Sequence, residues 1–183
     1  MTCLCLPQAP PPAHEPPRVG RESCLALIDT IIAHSPGGAR GTAVFLLDCS
    51  GPIGSRGAAQ AWRSNDLVVA EAGRRIRAAS PCWHRLLRGE GGEFVVIAQG
   101  LVDGAAVLGT AARLVHAFDD ALQGSDLALC PDVCIGIAYA PQHGAQGPSL
   151  LAAAESGLRD SLAAMRAGRR DGESAVPPAD PSR

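Results

Sequence analysis

Two segments with strand-forming residues, 82–88 and 93–98, flank the tetrapeptide Gly89-Glu90-Gly91-Gly92. Glycines at such a tip permit a tight reversal, so the segment predicts a β-hairpin and two antiparallel neighbours in one sheet. Residues 42–47 form a short continuous apolar run ending at Asp48. A run of that length without alternation predicts a strand covered on both faces. Residues 133–139 read as another buried strand.

The remaining apolar residues recur at helical spacing. Cys24, Leu25, Ile28, Ile31 and Ile32 predict a helix over about 20–34, closed by Ser35-Pro36-Gly37-Gly38. Ser64 reads as an N-cap with Asp66 in the first turn, and Leu67, Val68, Ala72, Ile76 and Ala79 as the buried stripe behind it. Leu108, Ala111, Val115, Phe118 and Leu122 mark a third helix. Leu150, Leu151, Ala154, Leu158, Leu162 and Met165 mark a last one, with Pro148 in its first turn. The order is helix, strand, helix, hairpin, helix, strand, helix. It predicts an α+β domain: a central, mostly antiparallel sheet with helices packed on it, of the ferredoxin-like, palm type.

The ends differ from this pattern. Residues 1–19 are proline-rich and without periodicity, and residues 168–183 are polar, so both are expected to be disordered around a single domain at 20–167. Of the 183 residues 46% are hydrophobic but only 3% aromatic, which predicts an aliphatic core. The net charge of −2 argues against a nucleic-acid partner. All 16 basic side chains are arginine, which excludes lysine Schiff-base chemistry and a lysine phosphate ligand. The seven cysteines include no CxxC pair, and Cys24, Cys49 and Cys134 fall in apolar stretches, which predicts buried free thiols and a cytoplasmic protein. Zinc held by Cys82, His84, Cys130 and Cys134 is disfavoured by strand alternation. No stretch has the length of a membrane span, so no direct membrane insertion is expected.

The residues able to carry chemistry lie at strand ends. Asp48 closes the first strand, and Glu90 and Glu93 bracket the hairpin tip. If those strands are neighbours, Asp48 and Glu93 face one another. Carboxylates so gathered can hold Mg²⁺ against a triphosphate, and the tip glycines Gly91 and Gly92 let the backbone approach a nucleotide. The same features also occur in ordinary turns and hairpins.

Four segments resemble the GGDEF domain of diguanylate cyclases, over roughly residues 20–167. RGEGGEFVVI at 88–97 is similar to the family's signature hairpin, and TAVFLLD at 42–48 to its first strand, which ends in a metal-binding Asp. CIGIAYAPQHG at 134–144 and LLAAAESGLRDSLAAMRAGRR at 150–170 are similar to its later strand and final helix. The resemblance implies a palm-type, nucleotidyl-cyclase-like fold in cyclic di-GMP signalling, with two GTP molecules condensed by a homodimer. It implies Asp48 and Glu93 as metal ligands, with Glu90 a substitute ligand by a different backbone path, Glu93 as the catalytic residue, and Mg²⁺ wherever GTP is bound. It implies Asp66, Gly91, Gly92 and Arg166 as nucleotide contacts.

The chain also departs from that pattern. In one register Gly92 stands where cyclases carry an acidic metal ligand; in the other a residue is deleted and Glu93 is the acid that remains. Ser50 replaces a second Asp, the guanine-reading Asn has no counterpart near Ser55 or Arg56, and Leu162 stands where the family's phosphate-binding Lys falls. Pro81-Cys82-Trp83-His84 replaces the R-x-x-D of the inhibitory product site, so cyclic di-GMP is not expected there. The expectation is a degenerate, non-catalytic domain, a regulatory or protein-interaction module with residual GTP binding. The alternative is an active cyclase with an altered signature.

Overall fold

A computed structural model describes residues 15–35, 37–49, 66–79, 83–89, 93–120 and 132–174. In chain order the elements are α1 (Arg21–His34), β1 (Ala43–Asp48), α2 (Asp66–Ala79), β2 (Trp83–Arg88), β3 (Phe94–Ala98), α3 (Gly104–His116), β4 (Cys134–Tyr139) and α4 (Gly147–Ser174). The four strands form one sheet in the order β2-β3-β1-β4, antiparallel throughout.

The continuous apolar run of β1 has a direct cause. It lies between β3 and β4 with helices on both faces, and Ala43 through Leu47 are all buried. Ala43, Phe45 and Leu47 point to α2 and α3, where they meet Val68, Ile76 and Leu114. Val44 and Leu46 point to α1 and α4, where they meet Cys24, Ile28, Leu150 and Ala154. Each such aliphatic or aromatic side chain contributes about 1.5–3 kcal/mol on burial. The molecule therefore has three layers: α1 and α4, the sheet, then α2 and α3.

β2 and β3 are the expected hairpin, with one irregularity between Trp83 and Arg85. Gly89 N–H donates to Glu93 O at 2.8 Å and closes it. Glu90, Gly91 and Gly92 lie outside the described residues, as do Ser64, Cys82, Cys130 and the loop after Cys49.

α4 lies close on β4. A Cβ at Gly136 would run into the backbone of Ala154 and Leu158, and Gly157 approaches the Gly136 backbone from the helix side. Asp29 of α1 accepts from Gly147 N–H at 2.6 Å, so one helix caps the N-terminus of the other. On the opposite layer α2 and α3 exchange arginines. Arg75 donates to the carbonyls of Ala117 and Asp120 beyond α3, and Arg113 donates to Ala79 O at the end of α2. Each guanidinium thereby satisfies carbonyls at the negative end of its neighbour.

Two expectations need adjustment. The buried stripe of α3 is Val107, Thr110, Ala111 and Leu114, with Phe118 beyond the helix, whereas Leu108 is 64% exposed and Val115 half-buried. The apolar face of the segment covers a wide arc, and buried Thr110 has its hydroxyl satisfied by donating to Ala106 O. Hydrogen-bonded structure also extends past both ends of 20–167. Val19 N–H donates to Arg88 O and Arg88 N–H to Pro17 O, Pro16 is buried against Gly73, and α4 runs to Ser174.

Candidate functional site

The β1–β3 register pairs Leu47 with Phe94, so its next step sets Asp48 opposite Glu93. Their side chains share the face that carries Leu46 and Val95, toward α1 and α4. There the four residues line a cavity of about 280 Å³. Leu46 and Val95 form its floor, Arg21 and Cys24 of α1 one wall, and the 151–162 stretch of α4 the other. The hairpin closure by Gly89 helps to place Glu93. A Cβ on Gly89 would sit 2.5 Å from Glu93 Oε1, so glycine leaves room for the carboxylate to fold back over the strand.

The cavity has mixed charge. Three carboxylates, of Asp48, Glu93 and Glu155, stand against two guanidiniums, of Arg21 and Arg159. Arg21 is ion-paired with Glu155, which ties α1 to α4 across the opening. Like charges directly opposite on paired strands repel, so Asp48 and Glu93 together favour a cation between them. Two carboxylates suit a Mg²⁺ that arrives with phosphates, since that ion is commonly held by one or two carboxylates plus phosphate oxygens and water. They do not make a resident metal cage. Among the described residues no group of three His, Cys, Asp or Glu side chains is placed to hold an ion.

The nearby thiols are not nucleophiles. Cys24, Cys49 and Cys134 are free and buried, as the sequence suggested. Burial pushes the Cys24 thiol up, with Arg21 opposing and Glu93 adding to the rise. Cys49 is driven well up by burial and then by Asp48 and Cys134. Cys134 is raised by burial, which outweighs a hydrogen bond from Ser161 and the charge of Arg166. A neutral buried thiol is inert at physiological pH.

The other candidates lie apart from this cavity. Asp66, exposed at the start of α2, borders a shallow depression with Glu15, Pro16, Pro17 and Arg18. Arg166 is exposed on α4 near Cys134 and does not line the cavity. Gly91, Gly92 and Glu90 lie outside the described residues. Leu162 lines the cavity where the resemblance places a lysine. Sequence reasoning overlooked Arg21, Glu155 and Arg159. The signal for two of them was present: Leu151, Glu155, Leu158, Arg159 and Leu162 recur at helical spacing on one face.

No family model matches the sequence, and no curated protein is detectably similar to it. Solved structures do match. The GGDEF domain of YfiN (also TpbB) from Pseudomonas aeruginosa superposes with a TM-score of 0.64 at 20% identity, covering 82% of this chain and 86% of that one. The diguanylate cyclase SiaD of the same organism, in complex with its activator SiaC, gives 0.63 at 16% identity, covering 79% and 55%. The coiled coil and GGDEF domain of DgcB from Caulobacter crescentus, in complex with c-di-GMP, gives 0.54 at 19%, covering 80% and 77%. At these identities the likeness speaks to architecture: the chain has the fold of GGDEF domains.

Proposed function

We propose that this chain is a regulatory, non-catalytic GGDEF-fold module of cyclic di-GMP signalling that binds GTP weakly with Mg²⁺ and acts through a protein partner or a second copy of itself. One observation carries the reading. The cavity keeps a facing carboxylate pair, Asp48 and Glu93, yet Leu158 and Leu162 of α4 present apolar surface to it. Phosphoryl transfer depends on positioned metal and on charge stabilisation around the phosphates. Loss of one such donor costs on the order of a hundredfold or more in rate. SiaD is bound by an activator protein and DgcB by c-di-GMP. Those complexes support a protein or nucleotide partner for this chain as well. No helix among the described residues is long and apolar enough to cross a membrane. Calorimetric titration with GTP and Mg²⁺, with parallel assay for cyclic di-GMP, tests the proposal. Weak Mg²⁺-dependent binding without product is expected.

The placement of Asp48 opposite Glu93 also favours a second reading, a working cyclase with an altered signature. Cyclic di-GMP formed by the wild type and abolished in Glu93→Ala would establish it.

A further inference from the structure

We infer that Arg159, rather than Arg166, is the guanidinium that holds the phosphates of a nucleotide in this cavity, an inference that rests on the nucleotide site proposed above. Both cavity arginines differ in what they already do. Arg21 is held by Glu155. Arg159 lines the same cavity, is exposed at its mouth, and makes no ion pair or side-chain hydrogen bond among the described residues. It pairs with neither Asp48 nor Glu93, although both carboxylates border the same space.

A guanidinium on the α4 wall and two carboxylates at the strand ends of the floor can share a ligand. Phosphate oxygens accept the forked N–H donors of the arginine. Mg²⁺ carried by the same phosphates meets Asp48 and Glu93. Leu162, one turn beyond Arg159, lines the same space with apolar surface. The cavity, at about 280 Å³, lies near the lower end of small-ligand pocket sizes. Arg166 lies seven residues further along α4, about 10 Å down the axis, and outside the lining.

The whole chain titrated with GTP, and separately with inorganic pyrophosphate, each with Mg²⁺, tests this by calorimetry. Arg159→Gln is expected to weaken both by roughly tenfold or more, the cost of a lost charged hydrogen bond. Arg159→Lys, which keeps the charge, is expected to recover part of the affinity, and Arg166→Gln to leave it unchanged. Pyrophosphate separates phosphate recognition from guanine recognition. Wild-type affinity in Arg159→Gln, an equal loss in Arg166→Gln, or no binding of either probe by the wild type would overturn the inference. Cyclic di-GMP in the wild-type assay would overturn the non-catalytic reading alone and leave the ordering of these affinities standing.

Discussion

Gly136 and Gly89 are both places where a side chain would collide, but with different neighbours. At Gly136 the obstacle is the α4 backbone at Ala154 and Leu158, which cannot step aside without undocking the helix. Gly136→Ala is therefore expected to cost about 3 kcal/mol or more, read as a lowered urea midpoint. At Gly89 the obstacle is the end of the Glu93 side chain, which can swing away. Gly89→Ala is expected to change the urea midpoint little while weakening Mg²⁺-dependent GTP binding, because it moves a carboxylate rather than the backbone. Glu71 offers a pH test at the same scale. Hydrogen bonds from Arg74, with Arg75 adding to them against some burial, hold its carboxyl at about 2 instead of 4.5. A depressed carboxylate contributes stability that is full above the unfolded value and disappears as pH falls through the folded one. Wild type is thus expected to exceed Glu71→Gln in stability above about pH 5, by under about 1 kcal/mol for so accessible a pair, with the difference vanishing toward pH 2.

Three helix ends among the described residues are finished by neighbouring elements. Asp29 caps α4 from α1, and Arg75 and Arg113 close the ends of α3 and α2 reciprocally. Asp29→Ala is expected to cost about 1 kcal/mol in chemical denaturation, the usual worth of an N-cap carboxylate. None of these contacts is visible from sequence spacing, since Asp29 and Gly147 are 118 residues apart. The helices themselves were legible wherever one face alone is apolar. Cys24 and Ile28 of α1, and Leu150, Leu151 and Ala154 of α4, are buried as their periodicity requires. α3 was phased wrongly at Leu108 because Val107, Leu108, Leu114 and Val115 spread its apolar face over a wide arc, and packing on the sheet chose which part of that arc is covered.

Across the whole molecule, the lead segment ties the sheet edge to the cavity. Arg88, 1% exposed, donates to Glu15 at 2.7 Å, while its backbone bonds Pro17 and Val19. Val19 and Arg21, just beyond, border the cavity, and Gly89, next to Arg88, closes the hairpin that carries Glu93. Glu15→Gln weakens the partner of a buried charge. It is expected to cost about 1–3 kcal/mol and to speed amide exchange at Gly89, measured by denaturation and by hydrogen exchange.

The sequence by itself determined the element order, the two-sided burial of β1, the hairpin and the strand-end placement of Asp48 and Glu93. These follow from local periodicity and turn chemistry, which each segment carries alone. Tertiary structure decided the rest. The register of β1 on β3 set the two carboxylates opposite one another, and the docking of α1 and α4 on that same face enclosed them. That docking brought Arg21, Glu155 and Arg159 to the cavity and left Asp66 and Arg166 outside it. Which residues of distant elements share a volume depends on how those elements pack, and no single stretch of chain encodes that distance.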